Sequence, residues 1–226
     1  MKQLRSVDAI VFDLDGTLIP LQRATNETLS RYLARIPGVA NPVDLARRLW
    51  VATETPLNHA MRILDRTSLE PRLRRWIDSG RRWKGIATFE TLSTLEGAEG
   101  IMPDLARHYT LGVVTNRARR EAYQFLENSV LAEYMRAVAT REDVRRFKPH
   151  PDAIRQTAAL LGARPERTLV VGDMTVDMQA AQRAGAQAVG VMTGFCTEEE
   201  LRRAGADLVL RSVCDLPRVL SYTRRR

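Results

Sequence analysis

The chain has 226 residues, 44% of them hydrophobic, and a formal net charge of +8. That length holds one large domain, or a core of about 150 residues with a smaller unit beside it. No apolar run approaches the ~20 residues a bilayer-crossing helix needs, so a membrane is not an expected partner.

The positive charge is nearly all arginine and is spread along the whole chain. It reads as solvated helix faces, not as one aromatic-interleaved patch, so nucleic acid is not an expected partner either. A diffuse positive field would nevertheless attract phosphorylated small molecules. The N-terminus, Met1-Lys2-Gln3-Leu4-Arg5, runs straight toward a strand without a secretory apolar region, and a cytoplasmic location is the expectation. Cys196 and Cys214 lack metal-ligand spacing and are expected as reduced, packed thiols.

In chain order, the first predicted element is a strand over residues 7–12, whose run Ala9-Ile10-Val11-Phe12 suits burial in a parallel sheet. It ends on Asp13-Leu14-Asp15-Gly16-Thr17. Two carboxylates two residues apart, where α/β sheets place their ligand sites, suit a nucleophile beside an acid/base. Taken alone they could also cap a loop or hold a structural ion.

Residues 19–96 carry helix signals and no convincing strand. Thr25-Asn26 can cap a helix bearing Leu29, Tyr32, Leu33 and Ile36 at helical spacing, closed by Pro37-Gly38. Asn41-Pro42 and Thr55-Pro56 each read as an N-cap followed by proline at the first helical position. A further helix is expected from about residue 69 to 78, with Leu73, Trp76 and Ile77 on one side. Arg81, Arg82, Trp83 and Lys84 follow Gly80; packing tryptophan and solvated arginines are the favoured reading there.

From residue 97 strands alternate with helices, the pattern of a parallel sheet covered on both faces. Strands are expected at 111–115, 137–140, 168–172, 188–192 and 208–210. Pro151-Asp152 opens a helix with Ile154, Ala158 and Leu161 on one face and Gly162 as its stop. A second runs from about Asp177 to Ala184, closed by Gly185. Thr197 with Glu200 forms a capping box for a short helix ending near Gly205.

Three strand ends carry further chemistry. Thr115-Asn116 offers a hydroxyl and backbone N–H groups to an anion, and can equally cap a helix. Lys148, between Phe147 and Pro149, is a point cation ahead of a helix, although a Lys-Pro pair is commonly surface loop. Asp173 and Asp177 follow the strand Val170-Val171-Gly172; oxygen ligands of this kind suit Mg²⁺, and Asp177 could also be a helix N-cap. His59, His108 and His150 have no partners at ligand spacing and are expected to be structural or at the surface.

In this order, Asp13-Leu14-Asp15-Gly16-Thr17, Val113-Val114-Thr115-Asn116, Lys148-Pro149 and Gly172-Asp173 with Asp177 resemble the four motifs of the haloacid dehalogenase (HAD) superfamily of phosphohydrolases. The resemblance covers residues 7–18 and about 97–210. It implies an α/β fold, a three-layer Rossmann-like parallel sheet, with residues 1–18 and 97–226 as the catalytic core. Residues 19–96 would be an inserted all-helical cap of the C1 type found in phosphoglycolate phosphatase-like members.

It further implies that Asp13 is the nucleophile, forming an aspartyl-phosphate, and that Asp15 is the acid/base. Thr115, Asn116 and Lys148 would hold the phosphoryl group. Mg²⁺ would be held by the Asp13 side chain, the Asp15 backbone carbonyl and Asp173, with Asp177 orienting a metal water or Lys148. The expected activity is Mg²⁺-dependent hydrolysis of a small phosphorylated metabolite. A sugar phosphomutase and a catalytically idle binding protein of the same fold are the alternatives.

Two departures narrow this. The chain continues Leu18-Ile19-Pro20-Leu21 where phosphoglycolate phosphatase-like members usually have Val-Asp-Ser after DGTL. The linker histidine of sugar-phosphate mutases has no counterpart near Thr25.

Overall fold

In a computed structural model, residues 4–21, 24–49, 51 and 93–220 are described. The apolar run after Asp8 forms β1 (Ala9–Phe12), with every residue buried. A strand covered on both faces has no polar alternation to show, which is why it reads as a continuous hydrophobic stretch. Its neighbours are β2 (Thr110–Val114) and β4 (Thr168–Gly172), both parallel to it. With β3 (Met135–Ala139), β5 (Gln187–Val191) and β6 (Leu208–Leu210) they make a six-stranded sheet in the order β3-β2-β1-β4-β5-β6. All five pairings are parallel.

This is a Rossmann-like α/β architecture with helices packed on the sheet. Chain order runs outward from β1 through β2 to β3, then returns to the other side of β1 for β4. The strand order therefore reverses between β1 and β4, and a crevice opens beyond their carboxyl ends.

Helices follow the strands. Beside α1 (Ala24–Leu33) and α2 (residues 42–49), the chain forms α3 (Ala98–His108), α4 (Arg119–Glu127), α5 (Asp152–Leu160), α6 (Thr175–Ala184), α7 (Glu198–Arg203) and α8 (Leu216–Val219). The α5 residues Ile154 and Ala158 are fully buried, as their spacing requires. α6 ends on Gly185 at φ 85°, the left-handed conformation that glycine adopts without steric cost. The capping box at α7 is complete: Glu200 N donates to Thr197 Oγ1 at 3.3 Å, and Thr197 N donates to Glu200 Oε2 at 2.8 Å.

Several local expectations shift: β1 starts at Ala9 instead of residue 7, and β2 and β5 each lie one residue earlier than expected. β3 spans Met135–Ala139 instead of 137–140. It is an edge strand with its first two residues only partly covered, so its start carries little apolar signal. Thr140 leaves the strand because its N–H and hydroxyl both donate to Asp143 Oδ2, at 2.8 and 2.5 Å, turning the chain. α1 starts at Ala24, which places Thr25 and Asn26 inside its first turn. α3 has no clear counterpart in the sequence pattern, since Gly100 and Pro103 interrupt it; Ala98, Met102 and Leu105 are nevertheless buried on one face. Tertiary burial outweighs local propensity there.

The chain divides into two compact units, one formed by Met1–Pro20 with Ser93–Arg226 and the other by Leu21–Leu92. Within the second, Asn41 Oδ1 accepts from Asp44 N at 3.0 Å and caps α2, as the Asn41-Pro42 pair suggests. Tyr32 and Ile36 are exposed, and the Arg35 guanidinium lies 5.7 Å from the Tyr32 ring centroid. The helices expected at Thr55-Pro56 and over residues 69–78, His59, and the cluster Arg81-Arg82-Trp83-Lys84 lie outside the described residues. No described helix is long and apolar enough to cross a membrane. Cys196 and Cys214 are free thiols, the first buried.

Candidate functional site

The backbone locks the strand tips before the side chains act. Asp13 N donates to Val171 O on β4 at 2.9 Å, and Thr115 N donates to Ala139 O on β3 at 2.9 Å. After Asp13 the chain doubles back. Leu18 N and Ile19 N both donate to Leu14 O, at 2.9 and 2.8 Å, and Gly16 takes φ 80° to close the turn.

This geometry brings Asp13 from β1 beside Asp173 and Asp177, which follow β4. One carboxylate oxygen from each lies within 4.8 Å of the others, and all three residues are buried. Lys148 enters from the loop ahead of α5. Its Nζ donates to Asp13 Oδ1 at 2.5 Å, to Asp177 Oδ1 at 2.6 Å and to Val114 O at 3.1 Å. All three ammonium donors thus have acceptors. Asp177 Oδ2 also accepts from Met174 N at 3.0 Å, so Asp177 closes the α6 N-terminus while bracing Lys148.

Electrostatics follow from burial. Desolvation pushes the Asp13 carboxyl up to about 8; Lys148 opposes this, while Asp177 and Asp15 add to it. Burial would lower Lys148, but the Asp13 and Asp177 carboxylates outweigh it and hold the ammonium above its ordinary range. Three carboxylates against one ammonium leave an excess of negative charge in a buried place. Hard oxygen donors at this spacing suit a divalent cation such as Mg²⁺, which would balance that excess.

Asp15 takes a different partner from any anticipated. The Arg117 guanidinium grips it bidentately, Nε to Oδ2 at 2.7 Å and Nη2 to Oδ1 at 2.5 Å. Arg117 is itself only 2% exposed. Burial would lower its pKa, but Asp15 holds it above the ordinary value. Its third nitrogen lies 3.4 Å from Glu121 Oε2, and its backbone N–H donates to Thr115 Oγ1 at 3.1 Å. Thr115 is buried at the tip of β2, and Asn116 next to it is half-buried. Arg117 escaped the sequence reading. The available signal was its spacing of four residues from Glu121, across the start of α4.

Two further residues went unnoticed in sequence. The loop after β5 bends back over the site, where Thr193 Oγ1 donates to Gly16 O at 2.5 Å. A Cβ added at Gly194 would sit 1.6 Å from Asp173 Oδ2, and one at Gly16 would sit 2.5 Å from the same oxygen. Two glycines from different loops therefore make room for one carboxylate. Nothing in an isolated Thr-Gly pair announces this.

His150 and His108 stay out of the cluster. His150 Nδ1 meets the Asp152 backbone N at 3.4 Å, and His108 Nδ1 lies 3.0 Å from Asp104 O, one turn back in α3.

The family model for haloacid dehalogenase-like hydrolases matches residues 10–191. The chain is 28% identical over 222 residues to the pyrophosphatase PpaX of Anoxybacillus flavithermus, covering 97% of this chain and 100% of that one. It is 29% identical over 221 residues to PpaX of Bacillus cereus, with 97% and 99% covered. A solved hydrolase from Pseudomonas syringae superposes with a TM-score of 0.66 at 25% identity, over 93% of this chain and 96% of that one.

Proposed function

The chain belongs to the haloacid dehalogenase-like hydrolase family, and from that premise we propose that it is a Mg²⁺-dependent phosphatase of small phosphorylated metabolites, working through a phosphoryl group carried on Asp13. The observation that carries this reading is the buried Lys148 bridge between Asp13 and Asp177, at 2.5 and 2.6 Å, beside Asp173.

An attacking carboxylate needs a fixed direction and relief from the charge of the phosphate it approaches. Lys148 supplies both for Asp13. Asp13 attacks phosphorus and the bond to the leaving oxygen breaks, with Asp15 giving that oxygen a proton. Asp15 then takes a proton from the water that opens the aspartyl-phosphate. The Thr115 hydroxyl, Asn116 and Lys148 hold the phosphoryl oxygens through both steps.

Asp13, Asp173 and the Asp15 backbone carbonyl would hold Mg²⁺, which when bound neutralises negative charge on the phosphoryl group. Both Asp177 oxygens are already hydrogen-bonded, to Lys148 and to Met174 N. That supports a positioning part for Asp177 over direct ligation. The second unit, Leu21–Leu92, lies within the residues 19–96 expected as the cap and would serve to exclude water and select the substrate. Because the PpaX relatives are pyrophosphatases by name, pyrophosphate belongs beside phosphate monoesters in the substrate panel.

The test is hydrolysis of p-nitrophenyl phosphate with and without metal. A chelator is expected to bring the rate to background and added Mg²⁺ to restore it; a rate indifferent to the chelator contradicts the metal assignment. A second expectation concerns Gly194. In Gly194→Ala the new methyl would overlap Asp173, so the carboxylate has to move. Displacement on the scale of 1 Å lowers turnover by about 100-fold. The Mg²⁺ concentration giving half-maximal rate should rise as well, and wild-type kinetics in that variant would show that Asp173 does not need its observed position.

A further inference from the structure

Asp15 has two tasks in the reading above, and the second is the more demanding for geometry. Water must meet a base on one side and phosphorus on the other. Asp15 sits on a turn, is partly exposed, and is close enough to Asp13 to push on its charge. Left alone, a short flexible carboxylate near another carboxylate would swing away from it. The bidentate contact with Arg117 prevents this: two N–H groups in one plane fix both the position and the plane of the Asp15 carboxylate.

Arg117 is in turn fixed by burial, by Glu121, and by its own backbone bond to Thr115 Oγ1. One residue thus ties the base to the β2 tip that carries the phosphate-holding hydroxyl. A carboxylate has about four acceptor positions, and the bidentate contact with Arg117 uses one on each oxygen.

We propose that Arg117 is a positioning residue that aims Asp15 at the water which opens the Asp13 phosphoryl intermediate. This rests on the phosphatase reading above. In the step concerned, the water oxygen bonds to phosphorus while its proton passes to Asp15. The phosphorus–oxygen bond to Asp13 breaks, its electron pair returns to the Asp13 carboxylate, and inorganic phosphate leaves.

p-Nitrophenyl phosphate separates the two half-reactions, because p-nitrophenolate departs without a proton. In Arg117→Lys, which keeps the charge and loses the fork, the first equivalent of p-nitrophenolate per site should appear at close to the wild-type rate. Steady turnover should then fall by about 100-fold, within the range set by a general base. Asp15→Asn, which leaves Arg117 in place, should give the same burst followed by stalled turnover. The double variant should be no worse than Asp15→Asn alone.

A burst and a steady rate that fall together in Arg117→Lys would indicate phosphate binding or simple support of the fold, and would overturn the proposal. So would an unchanged steady rate, or additive losses in the double variant. Melting temperature and far-ultraviolet circular dichroism on each variant identify a folding defect, and in that case the Asp15→Asn burst decides. If Asp15→Asn shows no split between the phases, the proposal falls with it. If the wild-type chain releases no p-nitrophenolate at all, it is the phosphatase reading that fails.

Discussion

Asp13→Asn is expected to abolish hydrolysis of p-nitrophenyl phosphate while the chain stays folded. The amide keeps the shape of the carboxylate and cannot form the phosphoryl intermediate. Loss of a covalent nucleophile removes the whole double displacement, so the residual rate should be at least about 10⁴-fold below wild type. Stability should change little or rise. Burial already works against the Asp13 charge and pushes its carboxyl up to about 8 from 3.8, and the neutral amide has no such cost to bear.

The sign of the pH dependence follows. Between those two values the folded chain holds a proton that the unfolded chain has released. The stabilising contribution of protonated Asp13 is therefore complete below 3.8 and fades as pH rises through about 8. Asp13→Asn should flatten that part of the profile. Thermal melts of both proteins at several pH values, set beside the kinetics, check the whole expectation. Retained turnover would remove Asp13 as nucleophile.

Lys148→Met should have the largest effect on stability. It deletes the ammonium that donates to Asp13, Asp177 and the Val114 carbonyl and leaves the buried Asp177 carboxylate without its counter-charge, with Asp173 beside it. Breaking a buried ion pair from one side typically costs about 3–5 kcal/mol. Turnover should be lost as well, because nothing then aims Asp13. Lowering the pH protonates one of the stranded carboxylates and should recover part of the lost stability. Urea unfolding of the variant and wild type near pH 5 and pH 8 gives the comparison. A variant as stable as wild type at both would mean that the Lys148 bridge contributes nothing to the fold.

The legible parts of this molecule are those in which a local pattern has a single physical solution. A run such as Ala9-Ile10-Val11-Phe12 can be satisfied only by burial on both sides, and Asp13 then has to emerge at the strand tip. Gly185, Pro151 and the Thr197–Glu200 pair mark helix ends through their own backbone chemistry, and they sit where they should. Lys148 was legible for a different reason: its resemblance to a motif outweighed the ordinary reading of a Lys-Pro pair as surface loop.

What stayed hidden depends on approaches between segments far apart in sequence. Arg117 meets Asp15 across 102 positions, and Gly194 is constrained by the Asp173 carboxylate pressed against it. No periodicity records such a contact. α3 was hidden for the opposite reason, since Gly100 and Pro103 argue locally against a helix that burial of Met102 and Leu105 nevertheless sustains. The edge strand β3 slipped because it starts on the half-buried Met135 and the exposed Arg136, which break the apolar run. The substrate stays beyond the reach of sequence because pocket shape is not written in any strand-end motif.

The most direct test of the account is the mass of the enzyme itself. Protein mixed with p-nitrophenyl phosphate and Mg²⁺, then quenched in acid during turnover, should carry one added phosphoryl group. Peptide mapping should place that group on Asp13, and the modified fraction should grow in Arg117→Lys. A phosphoryl group on another residue, or rapid hydrolysis with no modified protein at any quench time, would contradict it.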